Sequence, residues 1–434
     1  MDQSSIAIMI LFGTLIFLML IRIPIAFSLG ISAVVTALYM EIPLMNLFMK
    51  MVTSLQNFVI VACPFFVIMA QVMGDGGITK KLMTFCNMIV GRIHGGTALV
   101  NILVSCLFGG ISGSSTADVS SIGAMLIPAM VDEGYDADYS VAVTVTSSLE
   151  GVMIPPSQNM LYYAVASASG ISISTLLICG LTPGILLTIG LAIPAYIIAK
   201  KRKYPLSEAF PKGERLRITM EALLGLGAIV IVIVGVTFGI CSATESASLA
   251  AVYAIIITFF IYRSLSLKQM VNAIKAVTPI MSMSLAIIAA SNAFSYVMTT
   301  LKVPTLLAAL LLSLSSDPKI VMLLMLVLML ILGCFMDMGV LILLTTPILY
   351  PIAVGSLGWN PYQFGVILVF AFAIGLCTPP VGTSLFIGCK IAGIPVESSI
   401  KAFLPFYLIM FVLLFAFTYI PALSLALPTA LGLL

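Results

Sequence analysis

The chain has 434 residues, of which 61% are hydrophobic and only 8% charged, with a net charge of +3. A soluble domain carries about 25% charged residues, so this composition excludes a soluble fold and predicts an all-α polytopic protein in a lipid bilayer. So small a net charge carries no signal for nucleic-acid binding, and no nucleic-acid partner is expected.

The elements follow in chain order. Full spans are predicted at residues 5–21 and 24–40. Residues 41–56, with Glu41 and Lys50, read as a stretch at the outer interface, and 57–74 as the next span. Residues 84–130 hold two apolar stretches around a Ser/Gly-rich centre and start and end on one side, which predicts a re-entrant hairpin. A span over 140–166 is broken at Pro155-Pro156, and a span over 174–199 follows. Lys200 through Arg217 then holds seven basic and two acidic residues, the strongest cytoplasmic marker in the chain. Spans at 219–239 and 246–262, joined near Cys241–Glu245, return to the basic Arg263, Lys268 and Lys275. After a span at 276–300 come a second hairpin at 319–355, a span at 362–388 broken at Pro379-Pro380, and a last span at 402–424.

This count puts Arg22, Lys80, Lys81 and Lys401 inside and both termini outside. It divides the chain into N-terminal scaffold helices (1–74), a first repeat (84–199), a basic loop with scaffold helices (200–300), a second repeat (319–400) and a C-terminal helix (401–434). No cleavable signal peptide is expected, because the first apolar stretch follows an acidic start.

The repeat is visible in the numbering. Asp118 lies ten residues before Pro128, and Asp337 ten before Pro347; Gly134 lies twenty-one before Pro155, and Gly358 twenty-one before Pro379. Five spans separate the hairpins, so they enter from opposite faces as inverted repeats. Paired, Gly/Pro-interrupted segments in two halves point to the binding site of a secondary transporter.

The candidate chemistry lies at these breaks. Ser112, Gly113, Ser114, Ser115 and Thr116 supply hydroxyls and freed carbonyls, a hard-oxygen set suited to a small cation; the helix that follows offers N–H groups to a carboxylate. The alternative is a helix cap with small residues for close packing. Proline frees carbonyls of the preceding turn, which makes Pro155 and the Thr378–Gly382 stretch cation candidates. Asp118 and Asp337 read as matched carboxylates, open to three roles: cation ligand, proton carrier or helix cap. Glu150 reads as a site neighbour, Glu245 as structural, and Lys390 as snorkelling inward. The eight cysteines show no metal or redox spacing, and the single histidine, His94, reads as a loop residue. Without a nucleotide motif, a metal cluster or a His-containing triad, a membrane enzyme is disfavoured; a channel fits the buried carboxylates less well than a coupled carrier.

The motifs SGSSTAD (112–118), VMIPPSQNMLYY (152–163), LTPG (181–184), TTPILYPIA (345–353), NPYQFGVIL (360–368) and GLCTPPVGTSLF (375–386) together resemble the large membrane subunit of tripartite ATP-independent periplasmic (TRAP) transporters across essentially the whole chain. The resemblance implies a sodium-driven importer of small organic anions in the bacterial inner membrane, working by an elevator motion. It implies two partners, a small membrane subunit and a periplasmic solute-binding protein. One sodium site would join Ser112–Ser115 and Asp118 to the break at Pro155. The other would join Gly333–Asp337 to Thr378–Gly382. The solute would lie between them, against Ser115, Thr116, Ser157, Gln158 and Thr383. The turn CSATES (241–246) departs from the family's TPTEA-like pattern, so no role of that turn is carried over. A stand-alone carboxylate carrier, coupled to cations or protons without a binding protein, is the alternative.

Overall fold

The computed structural model describes residues 3–205, 214–315 and 317–434, and every described element is helical. The middle of the basic loop, including Lys212, lies outside the described residues. The helices are α1 (Gln3–Leu20), α2 (Ile25–Tyr39), α3 (Leu44–Leu55), α4 (Ala62–Asp75), α5 (Ile78–Val90), α6 (Gly96–Ser112), α7 (Ser115–Asp118) and α8 (Ala124–Asp132). A π-turn, Val119–Gly123, joins α7 to α8. The first broken helix comprises α9 (Ala137–Ser147), α10 (Glu150–Met153) and α11 (Gln158–Ala166). Then come α12 (Ile173–Arg202), α13 (Arg215–Thr237), α14 (Ala243–Ile256), α15 (Leu267–Thr300), α16 (Val303–Leu314), α17 (Pro318–Gly333) and α18 (Met338–Tyr350). The chain ends with α19 (Pro361–Leu376) and α20 (Thr383–Ala392) around the second break, α21 (Val396–Tyr419) and α22 (Ala422–Ala430).

Local chemistry sets these boundaries. Ser242 and Glu245 form a capping box on α14, as do Ser266 and Gln269 on α15, so the structural reading of Glu245 holds. Asn360 caps α19, and Pro361 starts it with a preset φ. Among the described residues, seven helices are long and apolar enough to cross a bilayer, or nine if each bent pair counts as one.

Three expectations need correction. The first hairpin does not begin at residue 84: Gly91 and the left-handed Gly95 (φ 74°) end one helix and start another, so 84–90 belong to α5. The span expected at 276–300 is the 34-residue α15, extended N-terminally by its capping box. Residues 303–314, left unassigned by hydropathy, form α16.

The two hairpins point at each other. Thr97 Oγ1, at the start of α6, donates to Glu133, just past α8, at 2.5 Å, so the first hairpin closes at its base. The second closes against Tyr419: its hydroxyl meets the Lys319 carbonyl at 3.0 Å, and its ring lies 6.3 Å from Trp359. α12 measures the distance between these bases. Its first turn meets Tyr362 (Ser172 N to Tyr362 Oη, 3.2 Å), and its last turn meets Asp136 (Arg202 Nη1, 2.5 Å). At 1.5 Å per residue its 30 residues span about 45 Å. The two bases therefore lie at opposite ends of α12, with the tips between them.

The smaller of two buried apolar clusters joins α1, α2 and Leu47 of the amphipathic α3 to the second half of α15. The larger cluster holds the hairpins and broken helices.

Candidate functional site

Each hairpin tip seats on the proline break of its own repeat. Gly113, left-handed at φ 62°, ends α6, and a methyl there would stand 2.8 Å from the Pro156 carbonyl oxygen. The Asn159 amide donates to the Gly113 carbonyl at 3.4 Å. In the second repeat, the N–H groups of Val381 and Gly382 donate to the Cys334 carbonyl at 3.2 and 3.3 Å. The carbonyls of Leu376 and Thr378 crowd Gly382. Both proline pairs, Pro155-Pro156 and Pro379-Pro380, are joined by cis bonds.

Behind each tip two helices cross on a glycine pair. A methyl on Gly109 would stand 2.3 Å from Gly151 Cα, and one on Gly375 2.3 Å from the Gly333 carbonyl carbon. Gly109 and Gly333 are 224 residues apart, as are Gly151 and Gly375, so these pairs are the true register of the repeat. Gly333 thus allows close packing at this crossing.

That register also separates the two aspartates. Ser114 is the N-cap of α7, and Asp337 is the N-cap of α18, with Oδ1 accepting from Gly339 N at 3.0 Å. Asp118 lies one turn further on, 1% exposed, accepting from Ser112 Oγ at Oδ1, while Oδ2 has no partner among the described residues. Asp337 instead faces an open cavity. The two carboxylates are therefore not structural equivalents. Glu150 is fully buried beside Gly151, and neither of its carboxylate oxygens finds a partner among the described residues. A methyl on Gly151 would stand 2.8 Å from Asp118 Oδ2, so both carboxylates lie at the same crossing.

The cavity, about 150 Å³, lies between both tips and α15. Ser114, Ser115, Thr116, Gln158 and Asp337 line it. Asn159, Tyr162 and Ser284 also line it; Tyr162 donates to Ser284 across the gap at 3.1 Å. Ser157 is a correction: fully buried, it donates to the Val152 carbonyl and caps α11 from behind. Thr383 does not line the cavity either; its buried hydroxyl has no partner among the described residues. Thr378 Oγ1 donates back to Ile374 at 2.8 Å, leaving its carbonyl as the ligand-type oxygen. Ser148 and Ser384 were missed. Ser115 Oγ stands 2.6 Å from Ser148 Oγ and 2.8 Å from Ser384 Oγ, a chain of hydroxyls crossing from one repeat to the other. Ser384 lies in the quoted stretch GLCTPPVGTSLF, so the motif was visible even though the contact was not.

The family model described as "Tripartite ATP-independent periplasmic transporter, DctM component" matches residues 12–423. The chain belongs to this TRAP transporter family. It is similar to the C4-dicarboxylate TRAP transporter large permease protein DctM of Pseudomonas aeruginosa, at 36% identity over 94% of this chain and 95% of that one. It is also similar to the sialic acid TRAP transporter large permease protein SiaM of Vibrio cholerae, at 32% identity over 87% of this chain and 88% of that one. Among solved structures, the Alcanivorax borkumensis YdaH transporter matches with a TM-score of 0.64 at 14% identity, covering 90% of this chain and 89% of that one, a likeness of fold alone. The chain is thus a TRAP large permease, a membrane protein of several spans.

Outside the helices, at the base of the first hairpin, Asp136 is held by Tyr204 Oη (2.6 Å) and Arg202. The Tyr204 hydroxyl, with the guanidinium second, holds its carboxyl below the ordinary Asp value.

Proposed function

We propose that this chain is the permease of a sodium-coupled importer of a small organic anion in the bacterial inner membrane. It receives solute from a periplasmic binding protein and works beside a small membrane subunit. The observation that carries the reading is the convergence of both hairpin tips, each seated on a proline break, on one cavity. Carbonyls freed at Pro155, Pro156, Leu376 and Thr378, with Ser112, Ser115 and Thr383, offer hard oxygens where cations would bind. Asp118 stands behind the first tip and Asp337 beside the second. The hairpins are read as re-entrant, entering from opposite membrane faces, with both chain termini on the periplasmic side.

The cavity is bounded on one side by α15, which shares a buried cluster with α1–α3. That division suits an elevator, with the hairpins and broken helices sliding along α15. Coupling answers a physical need. An anion entering against an inside-negative potential faces about 2.3 kcal/mol per charge per 100 mV. Two cations moving with a singly charged solute reverse the sign of that term. The relatives' names include C4-dicarboxylates and sialic acid, and the small-organic-anion class follows from them.

The test is uptake by proteoliposomes holding this chain and its small subunit, with binding protein outside. Uptake that requires both an inward sodium gradient and the binding protein supports the reading. Uptake without binding protein turns it to a stand-alone carrier, and uptake driven by a pH gradient without sodium overturns sodium coupling.

A further inference from the structure

The cavity is chemically divided. Its first-repeat lining is polar except for Val152, and its second-repeat lining, with Met338, Val340, Leu343 and Leu376, is apolar except for Asp337. Among the described residues no lysine, arginine or histidine lines it, and Asp337 is its one charged side chain. Hydroxyls and amides can hold one carboxylate and an adjacent oxygen. The aliphatic wall offers no hydrogen bond, and a polar group desolvated against it loses its water without replacement.

From this division we infer that the solute is a compact monocarboxylate with a polar oxygen beside the carboxylate and an apolar body; this rests on the sodium-coupled reading above. The carboxylate lies at Thr116, Gln158 and Asn159, and the apolar body lies on Leu343 and Leu376. A second carboxylate would fall on the second-repeat lining, where Leu343 and Leu376 offer it no donor. A polyhydroxylated sugar acid would press its hydroxyls on the same wall. Size agrees, because a cavity of about 150 Å³ accepts a body as large as benzene.

The test uses the chain with its small subunit in detergent, following thermal unfolding in sodium or potassium. Three probes are titrated: 2-hydroxy-4-methylpentanoate, succinate and N-acetylneuraminate. The expected result is stabilisation by sodium alone, then further stabilisation by 2-hydroxy-4-methylpentanoate at a concentration about tenfold below that needed for either other probe. Leu343→Ser should erase that preference while keeping the shift with sodium alone; Leu376→Ser is the second variant should the first not fold. Stabilisation by sodium with equal or tighter binding of succinate or N-acetylneuraminate, or with no response to any probe, overturns the solute class and leaves the sodium-coupled reading standing. No response to sodium overturns that reading and the inference with it.

Discussion

Ser115 and Ser384 belong to different repeats, 269 residues apart in sequence, yet their hydroxyl oxygens stand 2.8 Å apart in the protein interior. Ser115 also meets Ser148 at 2.6 Å, so one hydroxyl at the first hairpin tip ties that tip to both broken helices. A cation or solute that ordered the first tip, as proposed above, would reach the second repeat through Ser115.

The first prediction follows from that contact. Ser115→Ala leaves the buried Ser384 hydroxyl short of a partner, at about 1–3 kcal/mol if it stays unsatisfied, while Ser148 keeps its bond to the Val145 carbonyl at 2.8 Å. The sodium concentration for half-maximal uptake should rise roughly tenfold or more. Ser384→Ala should act in the same direction, and the double variant should fall short of the sum because the residues touch. Additive effects in proteoliposome uptake would show that the pair does not couple the repeats.

Glycine crossings give the second. Gly109→Ala and Gly375→Ala would each force a methyl against backbone at 2.3 Å. Each should destabilise the folded chain by about 1–3 kcal/mol or more, since backbone cannot step aside as a side chain can. Gly13→Ala is the control: nothing lies within 4 Å of its methyl, so helix propensity alone applies. Thermal unfolding in detergent should leave the control unchanged or slightly raised and lower both crossing variants.

Much of this was legible in the sequence, because broken apolar segments and double prolines declare themselves without any contact information. Both breaks are legible at Pro155–Gln158 and Thr378–Gly382, and of the cavity lining the stretches Ser112–Asp118 and Pro155–Gln158 hold Ser114, Ser115, Thr116 and Gln158. What failed was register. Asp118 and Asp337 were matched by their distance to Pro128 and Pro347, but the first tip reaches its proline fourteen residues after its N-cap Ser114, and the second only ten after Asp337. Spacing counted from one proline cannot tell which side of the tip an insertion occupies; the glycine crossings can, because a crossing fixes both strands of the comparison. Ser148 was illegible for another reason. It is an ordinary helical serine until the fold brings Ser115 beside it.

Asp337 separates capping from charge. Asparagine caps a helix about as well as aspartate, so Asp337→Asn should leave stability within about 0.5 kcal/mol while removing a charged side chain from the cavity lining. Sodium activation of uptake should weaken markedly. Asp337→Ala should in addition lower stability by about 1 kcal/mol, since Gly339 N loses its acceptor. Unchanged sodium activation in the asparagine variant would leave Asp337 a cap and nothing more.

The base of the first hairpin carries a pH-dependent tie. The Asp136 carboxyl is held below its ordinary value, first by the Tyr204 hydroxyl and then by Arg202. A lowered carboxylate value stabilises the fold above the unfolded value, about 3.9, and loses that contribution as pH falls through the folded one. The Asp136 side chain is 57% exposed, so solvent screening limits the effect to a few tenths of a kcal/mol. Tyr204→Phe should therefore lower the unfolding midpoint slightly at pH 7, and the gap from the unaltered chain should close below about pH 4. A gap that widens with acid would contradict the assignment.

Glu150 is the last test. It is fully buried, both its oxygens lack a partner among the described residues, and Asp118 lies at the same crossing. The position 224 residues later, the register of the glycine pairs, holds Ile374, so the second repeat has no such group. A buried carboxylate without a counter-charge among the described residues is a liability, and an isosteric amide removes the charge without opening a cavity. In potassium, Glu150→Gln should leave the unfolding midpoint unchanged or raise stability by up to about 3 kcal/mol. In sodium the same comparison discriminates. If the cations bind only at the tips, the variant keeps the full sodium stabilisation. If the variant loses stability in sodium alone, a cation reaches Glu150 through the crossing, and the first cation site extends one helical turn deeper than Ser112 and Ser115.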